Sequence, residues 1–206
     1  TSQTSAEITE NSGGGGDDIL VETDFESGWG PWTDGARDCS LYPRGSRAYG
    51  GSNAANIQDN SGLNSAFWLT NGIDVHTPRY TELELDFYFY PYSMESGESF
   101  FIEYYNGSQW NTVERFTHGY EFNNNSFYHI TLTITESEYT FPTNMKISFE
   151  CDASGNADDI YIDDITITGK SGLKSGCKSM ATIEKLGIAP EKIIAEQDIQ
   201  ESISLY

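Results

Sequence analysis

At 206 residues, the chain is long enough for one domain with tails, and no apolar run approaches the roughly 18 residues that span a bilayer. Its 32 acidic residues outnumber 11 basic ones, for a net charge of −21. That charge excludes nucleic acid as a partner, because phosphates need cations, and it argues equally against membrane insertion and anionic membranes. It favours cationic ligands, and it also keeps a secreted protein dispersed and monomeric.

The first 18 residues predict a flexible linker, because Ser, Thr, Asp and Glu surround four consecutive glycines at positions 13–16. They carry no export signal, so we expect the sequence to continue a longer chain. From Ile19 onward, short β-rich runs alternate with clusters of turn residues at the spacing of an all-β sandwich.

Residues 81–90 give the clearest strand pattern. Their alternation indicates one buried and one water-facing surface, with an inward set of Leu83, Leu85, Phe87 and Phe89. Residues 99–105 predict the next strand, and Asn106-Gly107 predicts a two-residue turn into a return strand that starts near Trp110. Alternation predicts further strands at 127–134, 145–151 and 160–168.

These elements predict an all-β fold, an antiparallel two-sheet β-sandwich of jelly-roll type with flexible N- and C-terminal tails. The sandwich is placed at residues 19–170. Residues 171–206 predict a linker that leads to a further domain, with at most transient helix between 180 and 203, interrupted at Gly187 and Pro190.

Two motifs resemble a known arrangement. Asp24-Phe25-Glu26-Ser27-Gly28, with Trp29, Trp32 and Asp34 after it, resembles the opening of MAM domains and of jelly-roll carbohydrate-binding modules, and residues 159–165 resemble their closing strand. The resemblance covers residues 22–169. It implies a non-catalytic extracellular module, and the presence of only two cysteines in the domain favours bacterial relatives over vertebrate MAM domains.

The last six residues, 201–206, resemble the start of the C-terminal sorting domain of type IX secretion. This resemblance implies a parent protein that is exported and then released or held at the cell surface. We therefore expect a monomeric module tethered to other domains of a secreted protein.

Paired acids at the two ends of the domain predict a structural calcium site. In the resembled modules calcium ties the first strand to the last, and Ca²⁺ takes six to eight oxygen ligands. Carried over, Glu26 and Asp164 are the first candidate ligands, with Asp24 and Asp163 next; the alternative is a solvated strand end. Asp34 and Asp38 are candidates for a second site.

The cysteines predict one disulfide. Cys39 and Cys151 lie within the patterned region, and in an exported protein we expect them to pair. The alternative is two buried free thiols. Cys177 lies in the polar tail and is left unpaired.

Outward aromatic side chains predict a glycan platform. Tyr88 and Tyr90 point away from the core, and if the next strand pairs with theirs, Phe101, Glu103 and Tyr105 share that face, with Trp110 nearby. Sugars stack on rings and bond to carboxylates, so these residues predict binding of a polysaccharide or cell-surface glycan. The alternative is that loops or a neighbouring domain cover the face.

No pattern predicts catalysis. The three histidines, His76, His118 and His129, lie in no metalloprotease motif, and no Gly-x-Ser-x-Gly is present. Pairs of acids that could hydrolyse glycosides are too abundant to be informative. We expect a non-catalytic glycan-binding module; the alternatives are a protein–protein adhesion or spacer domain, and an accessory domain of a secreted peptidase or glycoside hydrolase.

Overall fold

A computed structural model describes residues 17–78, 80–172 and 179–186. This part of the chain forms twelve strands and one 3₁₀ turn, arranged as two antiparallel sheets, which confirms the predicted two-sheet β-sandwich. The strands are β1 (Asp17–Thr23), β2 (Trp32–Asp34), β3 (Cys39–Tyr42), β4 (Ala54–Gln58), β5 (Ala66–Leu69), β6 (Glu82–Tyr92), β7 (Ser99–Tyr105), β8 (Trp110–Thr117), β9 (Phe127–Thr135), β10 (Lys146–Asp152), β11 (Asp159–Lys170) and β12 (Met180–Leu186).

The larger sheet has the strand order β12-β9-β6-β11-β4-β3, and β1 also pairs with β11; the smaller sheet has the order β2-β5-β10-β7-β8. The core lies between them. The inward set predicted for residues 81–90 is confirmed, since all four side chains are buried. Strands β9 and β10 also alternate as predicted, burying Tyr128, Ile130, Leu132 and Ile134 on β9, and Ile147, Phe149 and Cys151 on β10.

The predicted pairing of residues 81–90 with residues 99–105 is wrong. Strand β6 lies between β9 and β11 in the larger sheet, whereas β7 lies between β10 and β8 in the smaller one. The intervening segment crosses from one sheet to the other, and it turns at Ser93 and Gly97, which have φ of 62° and 93°. The outward residues of β6 and β7 therefore lie on opposite faces of the sandwich.

The β7–β8 hairpin is present, but its turn is shifted by one residue. The Asn106 amide donates to the Gln109 carbonyl at 3.1 Å, and Gly107 takes the positive φ of 92°. The Asn106 side chain accepts hydrogen bonds from the Ser108 and Gln109 amides at 3.1 and 3.0 Å. Asn106 thus closes the turn through its side chain instead of adopting a left-handed backbone.

The interpretation of residues 180–186 as transient helix is wrong. Met180–Leu186 is a strand that extends the larger sheet along β9, and Ala181 and Ile183 pack against the core. In this strand the apolar Ala181 and Ile183 alternate with the polar Thr182 and Glu184, as is typical of an edge strand with one face on the core. The remaining predicted linker segments, residues 1–16 and 187–206, lie outside the described residues, as do Cys177 and the sequence that resembles a sorting domain.

The predicted Cys39–Cys151 disulfide is absent, and both residues are buried free thiols. Cys39 is on β3 of the larger sheet and Cys151 is on β10 of the smaller sheet, where each serves as a small apolar core residue. Burial raises the pKa of Cys39 to about 12 and raises that of Cys151 as well.

We expect neither thiol to react while the protein is folded, because a buried thiol with a raised pKa supplies almost no thiolate. Alkylation followed by peptide mapping should label Cys39 and Cys151 only after denaturation, and a reducing agent should leave the melting midpoint unchanged. Recovery of a peptide pair joining residues 39 and 151 from non-reduced protein would contradict this assignment.

In the described part of the chain, no helix has the length and apolarity required to cross a membrane.

Candidate functional site

The outer face of the larger sheet carries a cluster of tyrosines around one arginine. We call it the Arg47 cluster; its members are Tyr42, Arg47, Tyr90, Tyr92 and Tyr161. The register explains how it forms, since Tyr161 on β11 lies opposite Tyr90 on β6. Tyr42, at the end of β3, contacts the Tyr161 ring at 4.7 Å between centroids.

Arg47 fills the centre of this cluster. Its guanidinium carbon lies 3.5 Å from the centroid of Tyr92, 4.9 Å from that of Tyr161 and 5.8 Å from that of Tyr42. Rings at these distances attract a cation through their negative faces. The guanidinium also donates a hydrogen bond to the Tyr161 hydroxyl.

A carboxylate beneath the arginine completes the electrostatics. Asp159 lies 3.6 Å from Arg47 Nη1, and it accepts hydrogen bonds from the Tyr161 hydroxyl at 2.8 Å and from Asn56 Nδ2 at 3.0 Å. Burial, and secondly the hydrogen bond to Asp159, raises the pKa of Tyr161. Tyr161 therefore stays neutral, and its hydroxyl donates a hydrogen bond to Asp159.

The rim of the cluster remains open to solvent. Tyr92 is 38% exposed, and Tyr90 is half-buried against Phe127, with 5.0 Å between ring centroids. The Tyr90 hydroxyl donates to Asn125 Oδ1 at 3.4 Å. The cluster thus offers the rings of Tyr92 and Tyr90 beside the Arg47 guanidinium and the Asn125 amide, which together can stack on a sugar ring and bond to its hydroxyls.

The loop of residues 43–53 brings Arg47 to the sheet, and carboxylates hold this loop. Asp163 Oδ2 accepts hydrogen bonds from the amides of Tyr49 at 2.7 Å and Gly50 at 3.1 Å. Glu26 Oε1 accepts from the amides of Ser52 and Asn53 at 2.7 and 2.6 Å. These bonds satisfy four backbone donors that the loop itself leaves unpaired.

Two of the glycines in this loop, Gly50 and Gly51, make the close approach possible. A Cβ on Gly51 would lie 2.5 Å from Glu26 Cδ, and Gly51 has a φ of 47°. A Cβ on Gly50 would lie 3.0 Å from Asp164 Oδ2. Only residues without side chains allow the backbone to reach these carboxylates.

Three of the four acids predicted to bind calcium, Glu26, Asp163 and Asp164, lie at this loop. The oxygens of Glu26 and Asp163 face amide donors, as does Asp24, whose Oδ1 accepts from the Glu26 amide at 3.1 Å. Among the described residues, no three or more His, Cys, Asp or Glu side chains are grouped to hold a metal ion. Calcium binding remains a prediction from the sequence.

Asp163 is 1% exposed. Burial, and secondly the neighbouring Asp164, raises its pKa to about 8, while the amides of Asp164, Gly50 and Tyr49 favour its charged form. The second predicted pair, Asp34 and Asp38, stays a prediction from the sequence. Asp38 is buried and accepts a hydrogen bond from the Ser61 hydroxyl.

The predicted platform residues are divided between two faces. Tyr90 belongs to the Arg47 cluster, whereas Phe101, Glu103, Tyr105 and Trp110 lie on the smaller sheet. Tyr88 is on the predicted face, but its ring is already stacked by Tyr49 at 3.6 Å and by His129 at 4.5 Å. Two rings so close and parallel to a third must occupy its opposite faces, so Tyr88 offers no free surface for a sugar.

Sequence reasoning missed three residues of this site: Tyr42, Arg47 and Tyr161. Tyr161 carried a usable signal, because the predicted strand at 160–168 places it on the outward face, opposite the buried Ile160 and Ile162. Arg47 lies in an irregular loop, where no periodicity indicates which way a side chain points.

Two clefts on the described surface lie away from the Arg47 cluster. One, of about 350 Å³, is lined by Asp24, Gly28 and Asp164. The other, of about 360 Å³, is lined by Val75, Tyr80 and Phe141. Neither combines exposed rings with convergent charged groups, so the open Arg47 cluster is the stronger candidate for sugar recognition.

Comparisons with known proteins give a likeness of fold. No protein-family model and no curated protein matches the chain. The CBM22-1–GH10 modules of Clostridium thermocellum xylanase 10B, solved with xylohexaose, match at 16% identity and a TM-score of 0.53, covering 75% of this chain and 29% of that one. The CBM22-1 xylan-binding domain of Paenibacillus barcinonensis Xyn10C matches at 14% identity and 0.51, covering 77% and 99%. At these identities the likeness shows a shared β-sandwich fold and no more.

Proposed function

We propose that this chain contains a non-catalytic carbohydrate-binding module that binds a neutral polysaccharide at the Arg47 cluster. The observation that carries the proposal is the set of three tyrosine rings around Arg47 on the outer sheet face, where Tyr92 is exposed and Tyr161 lies buried beside Asp159. Rings supply flat contact area, and the charged groups supply directional hydrogen bonds that fix the orientation of a sugar.

Three further features support this function. The cluster is open along Tyr92 and Tyr90, so a polymer can pass across it without threading into a cavity. The net charge of −21 disfavours anionic glycans by repulsion. Both structures of the same fold are described in connection with xylan or its oligomer, which makes xylan the first ligand to test.

The remaining parts of the proposal follow from the sequence. A module of this kind acts outside the cell, as an accessory to a neighbouring domain of the parent protein.

The test is affinity electrophoresis against xylan, β-glucan, mannan and galactan, followed by calorimetry with the best oligosaccharide. The Tyr92→Ala variant should bind about tenfold more weakly, a loss of roughly 1.4 kcal/mol, because it removes an exposed ring and frees Arg47 from its position. Tyr120→Ala, which removes an exposed ring on the β8–β9 connection, is the matched control and should bind as the wild type does. Failure of the wild type to bind any polysaccharide, or unchanged binding by Tyr92→Ala, would overturn the proposal.

A further inference from the structure

The outer face of the smaller sheet carries a second set of aromatic side chains with acids between them. Phe101, Glu103 and Tyr105 point outward from β7, and the register places them opposite Glu150, Ser148 and Lys146 of β10. Trp68 of β5 lies on the other side of Ser148, and Trp110 of β8 lies opposite Tyr105. We call this surface the Glu103–Glu150 face.

Its two carboxylates have no hydrogen-bond or ion-pair partner in the part of the chain that the structure describes. Glu103 and Glu150 are half-buried and diagonal to one another on adjacent strands, yet neither makes a hydrogen bond or ion pair with another described residue. The two nearby basic side chains, Lys146 and Arg115, bind other groups. Lys146 Nζ donates to the Thr70 carbonyl at 2.7 Å, and Arg115 binds Asp152 at 2.8 Å.

Such an arrangement is unfavourable in the free protein. Partial burial removes water from two like charges, and burial raises the pKa of both carboxyl groups, with Glu103 adding to the effect at Glu150. An external cation between them would relieve this repulsion. The adjacent rings would add to its attraction, as the Phe101 ring already does for Arg115 at 4.9 Å.

We propose that the Glu103–Glu150 face binds a polysaccharide of amino sugars, through a protonated amine held between the two glutamates. An amino sugar joins in one unit the two features that this surface complements: an ammonium group for the carboxylates and a flat ring for an aromatic side chain. Tyr105 and Trp110 lie 5.3 Å apart between centroids on neighbouring strands, so rings continue beside the acids along the path of a polymer. The excess of negative charge over the whole chain draws a cationic polymer to the surface.

This second face is separate from the Arg47 cluster and does not depend on xylan binding. The test is calorimetry with a glucosamine hexamer at a pH where its amines are protonated, compared with the N-acetylated hexamer, which has the same rings without the charges. We expect the glucosamine hexamer to bind at least tenfold more tightly. Glu103→Gln and Glu150→Gln should each weaken binding about tenfold while keeping side-chain shape, so folding is not at risk.

Two control variants distinguish binding at this face from attraction to the net charge of the chain. Glu184→Gln removes the same charge from exposed β12 and should leave binding unchanged, as should Tyr92→Ala at the other face. Equal binding by all four variants would show attraction to net charge alone and would overturn the proposal. Hexalysine binding as tightly as the glucosamine hexamer, with the same loss in the two glutamine variants, would assign the face to basic peptides and would overturn it as well.

Discussion

Phe67→Ala should lower the free energy of unfolding by about 3–5 kcal/mol, the range observed when a buried phenylalanine is truncated and its cavity does not collapse. Phe67 of β5 is fully buried. Its ring lies 4.9 Å from Phe149, 5.3 Å from Trp32, 5.7 Å from Trp29 and 6.1 Å from Phe25. Four aromatic neighbours cannot all move into one vacated volume.

The same contacts explain the opening motif, because Phe25, Trp29 and Trp32 all pack on this ring. Urea denaturation is the appropriate measurement, and the slope of the unfolding free energy against urea concentration should be the same for the variant and the wild type. Phe67→Leu keeps most of the volume and should lose roughly 1–2 kcal/mol. A loss of less than about 1 kcal/mol for Phe67→Ala would show that the motif does not pack as described.

Gly51→Ala should cost about 2–4 kcal/mol and should also weaken polysaccharide binding. The added Cβ would meet Glu26 Cδ at 2.5 Å, and the position has a φ of 47°. A left-handed non-glycine residue costs roughly 1–2 kcal/mol by itself. The clash adds to this cost by forcing the Glu26 carboxylate away from the amides of Ser52 and Asn53, each of which then lacks its acceptor.

The chain supplies a matched control at Gly62, which has a φ of 61° and nothing within 4 Å of its added Cβ. Gly62→Ala should show only the backbone cost and should leave binding unchanged. Thermal melting and calorimetry with the same oligosaccharide measure both effects. If the two alanine variants were equally stable, Glu26 would have no part in holding the loop that carries Arg47.

The sequence was sufficient for the strands and for the side of each strand that faces the core. In β6, β9 and β10 a period of two repeats over at least three buried positions, and a shift of one residue would expose the whole set. The sequence did not allow the pairing of the strands to be predicted. Alternation shows that Phe101 and Tyr88 point away from the core, but not that β6 and β7 belong to different sheets, which depends on how residues 93–98 cross between them.

The candidate site was predictable only in part, for a related reason. Tyr90 was found because it lies on a long regular strand. Arg47 was missed because its position is determined by carboxylates more than a hundred residues away, such as Asp163, which binds the loop through backbone amides. Backbone donors leave no trace in the side-chain sequence, so the sequence does not predict that these acids hold the loop.

The central claim is that a polysaccharide binds across the Arg47 cluster, and chemical-shift mapping of the isotope-labelled protein with xylohexaose tests it most directly. The account predicts perturbations at Tyr42, Arg47, Tyr90, Tyr92 and Asn125, with the signals of β7 and β10 unchanged. Shifts confined to the smaller sheet would contradict it. So would the absence of shifts both with xylohexaose and with oligosaccharides of the other neutral polysaccharides in the binding panel.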